Sequence, residues 1–373
     1  MTTRLRPTWV EVDLEAIRHN VRTLMPAGAG LMAVVKANAY GHGDVAVARA
    51  AVEAGASWLG VALVEEGLAL RSAGLGEMPI LVLSEFPPGA ERQALAASLT
   101  PSLYSEGGLA RLVEAADGAP IGVHVKVDTG MHRAGVYPPE AAAAFIGRAA
   151  GSGLSLEGLW THLARSEEDA ATTEVQLSSF RAVVDEVRAA GHAPRFLHAA
   201  NTGATIRHPE AHFDLVRTGI GIYGIEPAPG VGSELGLRPA LTWRSEVTMV
   251  KRLPAGARMS YGHHYRLAHD SWVATVPAGY ADGYPRLLSS RADVLIGGRR
   301  CRVAGSVTMD QLIVDCGDLE VEPGDGVVLL GTQGDETVSV EELANHSGTI
   351  GYEIVTRIGG RVPREYVGEE HAG

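Results

Sequence analysis

The chain has little of what marks a secreted or membrane-bound protein. Cysteine occurs only twice in 373 residues, at Cys301 and Cys316, and this spacing matches neither a zinc clamp nor a CxxC redox motif. We therefore expect two free, packed thiols. The segment from Met1 to Asp13 lacks the apolar core of a signal peptide, and no apolar run is long enough to cross a bilayer. These absences predict a cytoplasmic protein that does not bind membranes.

Positive charge is also scarce, since 32 lysine and arginine residues stand against 44 acidic ones and the net charge is −12. This balance repels phosphate backbones, so we expect no nucleic-acid partner. Phosphate-loop, dinucleotide-binding, HExxH and GxSxG motifs are missing as well. His208 and His212 have i, i+4 spacing, but no third ligand accompanies them, and we predict no metal site.

What the chain does have, between residues 30 and 224, is an alternation of short apolar runs with Ala-rich segments of helical character. The runs are Leu31–Val35, Trp58–Leu63, Ile80–Leu83, Leu99–Tyr104, Ile121–Val127, Leu156–His162, Phe196–His198 and Leu215–Tyr223. Eight strands alternating with helices predict a (β/α)8 barrel, with an open doubly wound sheet as the alternative.

After Leu241 the pattern changes to short strand-like runs broken by glycine, proline and aspartate, with one helical segment at Val340–His346. Such spacing is typical of a β-rich domain, and a chain of 373 residues is long enough for two cores. We therefore predict a barrel domain over residues 10–238. Residues 1–9 and 239–373 are predicted to form the second, mainly β domain.

Lys36 is notable because it follows the apolar run Leu31–Val35 at the end of the first predicted strand. The reactive groups of (β/α)8 barrels collect at the C-terminal ends of the strands. Burial disfavours the ammonium form of a lysine, and a neutral amine attacks aldehydes, as a Schiff base with pyridoxal 5′-phosphate (PLP) requires. An exposed lysine at a strand end is the alternative, which position by itself does not exclude.

The segment VVKANAYGHG, residues 34–43, resembles the PLP-attachment signature of alanine racemases. The resemblance continues from Trp9–Asp13 to Arg361–Arg364 and so includes both predicted domains. It implies that Lys36 carries the cofactor and that the enzyme interconverts L- and D-alanine, the route that provides D-alanine for bacterial cell walls.

The resemblance also assigns cofactor contacts to other strand ends. Arg217 would face the pyridine nitrogen, and because an arginine can only donate hydrogen bonds, it would weaken the ring as an electron sink. His162 and His198 would back the ring and steady Arg217. The groups around the phosphate would be Tyr40, Asn201, Thr202, Gly219, Ile220 and Tyr352, with Thr202 standing where the family usually has serine.

Substrate contacts follow from the same resemblance. Arg133 matches the arginine that binds the amino-acid carboxylate, a task suited to a planar fork of donors. Lys126 aligns with a lysine that is often carbamylated in the family, and His132 stands where glycine is frequent. The remaining predicted contacts are Met309, through its backbone, and Tyr280 and Tyr284, which would narrow the entrance.

Racemisation removes a proton from one face of Cα and returns one to the other, so a second group must stand opposite Lys36. The segment MSYG, residues 259–262, resembles the family segment whose tyrosine has this role, which assigns it to Tyr261. A phenol needs a cationic or hydrogen-bonding neighbour to act as a base, and His162 is the candidate. The resemblance further implies a homodimer in which Tyr261 serves the barrel of the other subunit.

Three alternatives stay open at this point. A noncatalytic PLP-binding protein would resemble the barrel domain alone. A barrel-type decarboxylase of basic amino acids would need a catalytic cysteine and an acidic contact to the pyridine nitrogen, where Arg217 stands. A racemase of broader amino-acid specificity would share every motif above.

Overall fold

The computed structural model describes residues 5–368, which form two compact units. The barrel unit comprises residues 17–39 and 44–238, and the β-rich unit comprises residues 5–16, 40–43 and 239–368. Residues 1–4 and 369–373 of the predicted second domain lie outside the described part of the chain.

Strands and helices are numbered along the chain. The strands are β1 (Thr8–Asp13), β2 (Gly30–Val34), β3 (Trp58–Val61), β4 (Ile80–Val82), β5 (Thr100–Leu103), β6 (Ile121–Lys126), β7 (Leu154–Trp160), β8 (Phe196–His198), β9 (Leu215–Thr218), β10 (Leu241–Glu246), β11 (Met249–Leu253), β12 (Arg258–Met259), β13 (Tyr265–Arg266), β14 (Ser271–Val276), β15 (Asp293–Ile296), β16 (Arg299–Val303), β17 (Leu312–Gly317), β18 (Gly326–Gln333), β19 (Glu336–Val338) and β20 (Arg364–Val367). The helices are α1 (Leu14–Leu24), α2 (Asp44–Glu53), α3 (Val64–Ser72), α4 (Glu91–Ala96), α5 (Glu106–Ala116), α6 (Ala142–Gly151), α7 (Ala170–Ala189), α8 (Thr202–Arg207), α9 (Val340–Ser347) and α10 (Gly351–Thr356).

The barrel unit contains eight parallel strands in the order β8-β7-β6-β5-β4-β3-β2-β9. Its first strand, β2, pairs with its last, β9, and a backbone bond of 2.9 Å from Arg217 to Ala200 joins the chain near the ends of β9 and β8. The sheet is therefore a nearly closed barrel. This confirms the predicted fold class and excludes the open doubly wound sheet.

The barrel strands appear in the sequence as continuous apolar runs because both of their faces are covered, and all four residues of β3 are buried. Inside the barrel a buried cluster is formed by Met32, Trp58, Leu81 and Leu215. The interior is therefore a packed core, and the polar chemistry collects at the strand ends.

The eighth predicted strand is shorter than its apolar run. Regular pairing stops at Thr218, because Gly219 adopts φ −108° and ψ −95°, outside the extended range. The chain then continues as a 3₁₀ helix over Ile220–Tyr223.

The β-rich unit is built on a large sheet in the order β11-β14-β17-β16-β15-β18-β10-β1-β20, with β19 added beside β18. β1 pairs with β10 antiparallel and with β20 parallel, so its backbone ladder ties residues 8–13 to this unit. Gly41 belongs here as well, since its carbonyl accepts a hydrogen bond of 2.9 Å from Arg364. The unit thus includes residues 10–16 and 40–43, which lie inside the residue range predicted for the barrel.

Among residues 5–368, no helix combines the length and the apolar character needed to span a membrane.

Candidate active site

Lys36 follows β2 at the C-terminal end of the barrel strands, as the sequence predicted from its apolar run. Burial lowers the pKa of Lys36, the positive charge of Arg133 lowers it further, and Glu66 opposes part of this effect. The amine is therefore easier to deprotonate than an ordinary lysine, which is the property that attack on an aldehyde requires.

The backbone after Lys36 turns in a left-handed sense, with φ between 50° and 54° at Ala37, Asn38, Ala39 and Tyr40. Non-glycine residues rarely adopt this conformation, at a cost of about 1–2 kcal/mol each. Glu66, in the first turn of α3, helps to hold it, because its carboxylate accepts from Ala37 N at 2.6 Å. The strain is thus concentrated beside the candidate amine, where functional sites often store it.

Arg217, on β9, is buried and donates to neutral groups only. Its guanidinium contacts His198 Nδ1 at 3.0 Å and His162 Nδ1 at 3.3 Å, together with the carbonyls of Thr161 and Ala199. Burial lowers the pKa of Arg217 to about 9, which leaves it cationic at neutral pH. Within residues 5–368 no carboxylate forms a salt bridge with it, so its positive charge is uncompensated.

The donor chemistry of Arg217 sets the protonation of three histidines. Since a guanidinium only donates, His198 Nδ1 must accept, and His198 Nε2 then carries the hydrogen that it donates to His124 Nδ1 at 2.9 Å. Burial and Arg217 hold the pKa of His198 and of His162 well below the ordinary value, and burial lowers that of His124 to about 3. All three rings are therefore neutral.

A glycine makes room for this network. His124 on β6 stands opposite Gly158 on β7, and a Cβ at Gly158 would lie 2.3 Å from His124 Nδ1. No side chain fits at that distance. The register between β6 and β7 thus places the imidazole inside the barrel, where it orients His198.

Lys126, at the end of β6, is buried beside the indole of Trp160. Its Nζ lies 4.7 Å from the ring centre, and Arg217 Cζ lies 4.8 Å from the same ring. Burial lowers the pKa of Lys126 to about 8, and Arg133 and Arg217 contribute to the shift. The strand ends thus bring Lys36, Lys126, Arg133 and Arg217 within electrostatic range of one another.

The loop that carries Arg133 is organised by Asp128. Its Oδ1 accepts from the amides of Gly130, Met131 and His132 at 2.9–3.0 Å. His132 has φ 54°, a left-handed conformation in which glycine is unstrained, so the histidine is accommodated with strain. The exposed Arg133 side chain is thus presented on a loop with a defined backbone.

Three of the residues predicted to contact the phosphate, Asn201, Thr202 and Gly219, lie close together where α8 begins. Thr202 Oγ1 accepts from Gly219 N at 3.1 Å and from Gly221 N at 3.5 Å, so the hydroxyl and these amides are adjacent. Asn201 is the N-cap of α8, accepting from Ala204 N at 3.0 Å. Its side chain therefore has a structural role in positioning Thr202.

Tyr261, in the β-rich unit, is exposed, with 76% of its surface accessible. Ser260 before it has φ 56° and ψ −172°, a conformation that costs a non-glycine residue about 1–3 kcal/mol. Ser260 donates to Ser306 O at 2.7 Å, and Ser306 donates to Tyr261 O at 3.1 Å. These bonds hold a strained backbone that directs the phenol outward.

Tyr280 and Met309 come together in the same unit. Tyr280 N donates to Thr308 O and Ala281 N to Met309 O, both at 3.0 Å. Gly279 permits this approach, because a Cβ there would lie 2.3 Å from Met309 O. Both side chains are exposed.

The structure does not support the entrance role predicted for Tyr284. Its side chain is completely buried, and its ring lies 5.8 Å from that of Trp243. Burial raises the pKa of the Tyr284 phenol, and its hydroxyl has no hydrogen-bond partner among the described residues. Tyr284 is therefore a core residue of the β-rich unit.

Tyr40 and Tyr352 also meet within the β-rich unit, with ring centres 6.1 Å apart and planes inclined at 50°. Burial raises the pKa of Tyr40 to about 12, so its hydroxyl stays protonated and can donate.

Comparison with known proteins identifies the family. The family model "Alanine racemase, N-terminal domain" matches residues 12–227, and "Alanine racemase, C-terminal domain" matches residues 240–366. The alanine racemase of Symbiobacterium thermophilum is 50% identical over 373 residues, covering 98% of both chains. The chain belongs to the alanine racemase family.

Solved alanine racemase structures agree with the fold. The enzyme from D-cycloserine-producing Streptomyces lavendulae has a TM-score of 0.93 at 42% identity and covers 99% of both chains. That from Bacillus anthracis, with bound L-Ala-P, has a TM-score of 0.92 at 38% identity, covering 98% of this chain and 96% of the other. The family predicted from the motif at residues 34–43 is thus confirmed, and a relationship limited to the barrel domain is excluded.

Several site residues were missed by sequence reasoning. Glu66 acts on the amide of Ala37 and Gly158 makes room for His124 on β6, and nothing in the sequence near either residue marks that contact. Trp160 precedes Thr161 and His162 at the end of a strand, and a search for aromatic as well as polar groups at strand ends would have found it.

Proposed function

We propose that this alanine racemase family member interconverts L- and D-alanine with PLP as cofactor. The observation that carries the proposal is the Lys36 amine, whose pKa is lowered, grouped with Lys126, Arg133 and Arg217 at the barrel strand ends. Such a group suits an anionic aldehyde cofactor and a substrate that carries a carboxylate.

The residues present fit PLP. The uncompensated charge of buried Arg217 suits a ring nitrogen that accepts a hydrogen bond. The Thr202 hydroxyl beside the Gly219 amide, with the Ile220 amide next along the chain, suits a phosphate. Lys36 would hold the aldehyde carbon. We propose that Tyr40 and Tyr352 add phenol donors to the phosphate. When bound, PLP withdraws electrons from Cα of the amino acid and so makes its proton acidic.

Arg217 would control how strong that withdrawal is. Because its guanidinium offers no proton, a ring nitrogen facing it stays unprotonated and the ring is a weaker electron sink. This arrangement favours return of a proton to Cα over competing reactions. His198 and His162 hold the guanidinium in place, and His124 holds His198.

Two groups would move the proton. The Lys36 amine serves one face of Cα, and we propose that Tyr261 of the partner subunit serves the other, so that complete sites exist only in a homodimer. The exposed and strained setting of Tyr261 supports a role outside its own unit. Neutral His162, with hydrogen on Nε2, can donate to a phenolate but supplies no positive charge.

Arg133 would bind the substrate carboxylate, since its loop is held by Asp128 while its guanidinium is exposed. Met309 and Tyr280 are the proposed contacts on the substrate side. The two buried free thiols, Cys301 and Cys316, agree with a reducing compartment, and we propose a cytoplasmic enzyme that supplies D-alanine for peptidoglycan.

The function is tested by adding PLP-loaded protein to a panel of L-amino acids and measuring D-enantiomer formation by chiral chromatography. Alanine is expected to react fastest, with kcat/KM at least about tenfold above that of larger side chains. Comparable rates across the panel would instead establish the broader-specificity alternative. Absence of any D-alanine would refute the proposal.

Lys126 is proposed to carry a carbamate. With a pKa of about 8, a large fraction of its amine is neutral near pH 8, and the neutral amine is the form that adds to carbon dioxide. The product is an anion placed among Arg133, Arg217 and Lys36, where negative charge is favoured. It would hold Arg133 toward the substrate.

If Lys126 is carbamylated, protein equilibrated at pH 8 with ¹³C-bicarbonate will show one carbamate carbon resonance, which Lys126→Ala abolishes. Lowering the pH to 6 protonates the amine and should remove the signal. Lys126→Ala is also expected to raise KM for alanine by about tenfold, since Arg133 loses its anionic neighbour. A resonance that persists in Lys126→Ala would contradict this assignment.

A further inference from the structure

The chain's two cysteines, Cys301 and Cys316, lie on neighbouring antiparallel strands, β16 and β17. The register pairs Arg302 with Asp315 and Val303 with Val314. The paired residues end there, and Cys301 and Cys316 are the next residues on the two strands, at a point where β17 shifts register against β14. Fourteen residues separate them in sequence, so the spacing alone conceals the contact.

The pairing geometry suits a disulfide. Ala304 N donates to Ile313 O at 2.7 Å, so that pair is hydrogen-bonded. A regular continuation of this ladder would make Cys301 and Cys316 a non-hydrogen-bonded pair, the type in which Cα atoms are about 4.5 Å apart and side chains are closest. This separation falls within the disulfide range of about 4.4–6.8 Å. The two side chains are close enough to perturb each other's ionisation. Each thiol donates to a carbonyl of its own strand at 3.8 Å, Cys301 to Arg299 O and Cys316 to Val314 O.

The surroundings favour reaction at Cys301. The neighbouring Cys316 side chain lowers the pKa of Cys301 and Arg299 lowers it further, whereas the neighbouring Cys301 raises the pKa of Cys316. Cys316 lines a surface cleft of about 630 Å³ together with Arg299, Arg302 and His269. Small oxidants therefore have a route to a thiol pair that is otherwise buried.

We propose that Cys301 and Cys316 are an oxidation site that hydrogen peroxide converts to an intramolecular disulfide. The Cys301 thiolate attacks one peroxide oxygen, the O–O bond breaks, and a sulfenic acid and water result after proton transfer. The Cys316 sulfur then displaces the hydroxyl group as a second water, forming the S–S bond. Peroxide is reduced, both thiols are oxidised, and a dithiol reductant reverses the change.

The disulfide would close a loop over residues 301–316. This loop carries Ser306, whose hydroxyl donates to Tyr261 O, and Met309. Oxidation would therefore restrict the segment that supports Tyr261. The inference needs only the strand pairing and does not depend on the racemase assignment.

The test treats PLP-loaded protein with hydrogen peroxide, removes the peroxide with catalase, and counts thiols after unfolding in urea. Titratable thiols should fall from two to none, the intact mass should fall by two hydrogen atoms, and a dithiol should reverse both changes. Thermal unfolding of the oxidised form should shift upward, on the order of 5 °C, because the unfolded chain is cross-linked. Cys301→Ser and Cys316→Ser are matched controls in which the mass loss and the shift are absent.

Peptide mapping of the oxidised protein should recover one cross-linked peptide pair containing both cysteines. Retention of two thiols, oxygen addition to either cysteine, or a disulfide between chains on a non-reducing gel would each overturn the proposal.

Discussion

Lys36→Ala is expected to lower kcat for alanine racemisation by about 10⁴-fold or more while leaving the fold intact. Lys36 combines a nucleophilic amine with a lowered pKa and a neighbouring cation, Arg133, and it stands in the segment that resembles the PLP-attachment signature. Alanine removes both the attachment point for the cofactor and one of the two proton carriers. The side chain follows β2 and lies outside the buried core cluster, so stability should change little.

The measurement combines steady-state racemisation with borohydride reduction of PLP-loaded protein and peptide mapping. The cofactor should be recovered on Lys36 in the unaltered protein and on no lysine in Lys36→Ala. The chain has two other lysines, and exposed Lys251 on β11 provides the control, because Lys251→Ala should keep full activity and normal labelling. Full activity in Lys36→Ala, or labelling of Lys126, would refute the assignment.

Tyr261→Phe is expected to lower kcat by about 10²–10⁴-fold, the usual contribution of a positioned acid–base group. The loss should be unequal for the two half-reactions, because Lys36 still serves its own face of Cα. In D₂O, one enantiomer of alanine should therefore exchange its Cα hydrogen much faster than the other. Tyr137→Phe, which alters another exposed tyrosine, should leave both exchange rates unchanged.

The proposed sharing of Tyr261 between subunits is tested by a separate subunit-mixing experiment. Mixing Lys36→Ala with Tyr261→Phe under conditions that exchange subunits should restore activity, since half of the dimers then contain one intact site. The expected recovery is roughly a quarter of the unaltered activity. No recovery after proven exchange would place both groups in the same subunit, and equal loss of exchange for both enantiomers in Tyr261→Phe would argue against a two-base reaction.

Much of the fold was predictable from local pattern. The barrel strands are short and buried on both faces, so they appear as apolar runs that periodicity detects. The end of the eighth strand was not predictable in this way, because Gly219 stops the pairing within an apolar run. The predicted domain boundary at residue 10 falls inside β1. The sequence gives no local sign of this strand's pairing, because its partners β10 and β20 are more than 200 residues away.

Candidate site residues were predictable where a residue type that is unusual for its position also falls in a segment that resembles the family. Lys36 and Arg217 are unusual at the ends of apolar strands, and the motif at residues 34–43 identified the family. Tyr284 shows the limit of motif reasoning, because a motif identifies the residue type but does not say whether the side chain lines a site or is buried in a core. Only its packing against Trp243 decided between them.

The sequence by itself determined the strand-and-helix alternation, the reactive lysine and the family, because these depend on residue type and spacing along the chain. Tertiary structure alone decided which side chains meet across strands: His124 with His198, Gly158 with His124, and Cys301 with Cys316. Such contacts depend on register between distant segments, and register is set by the packing of the whole sheet.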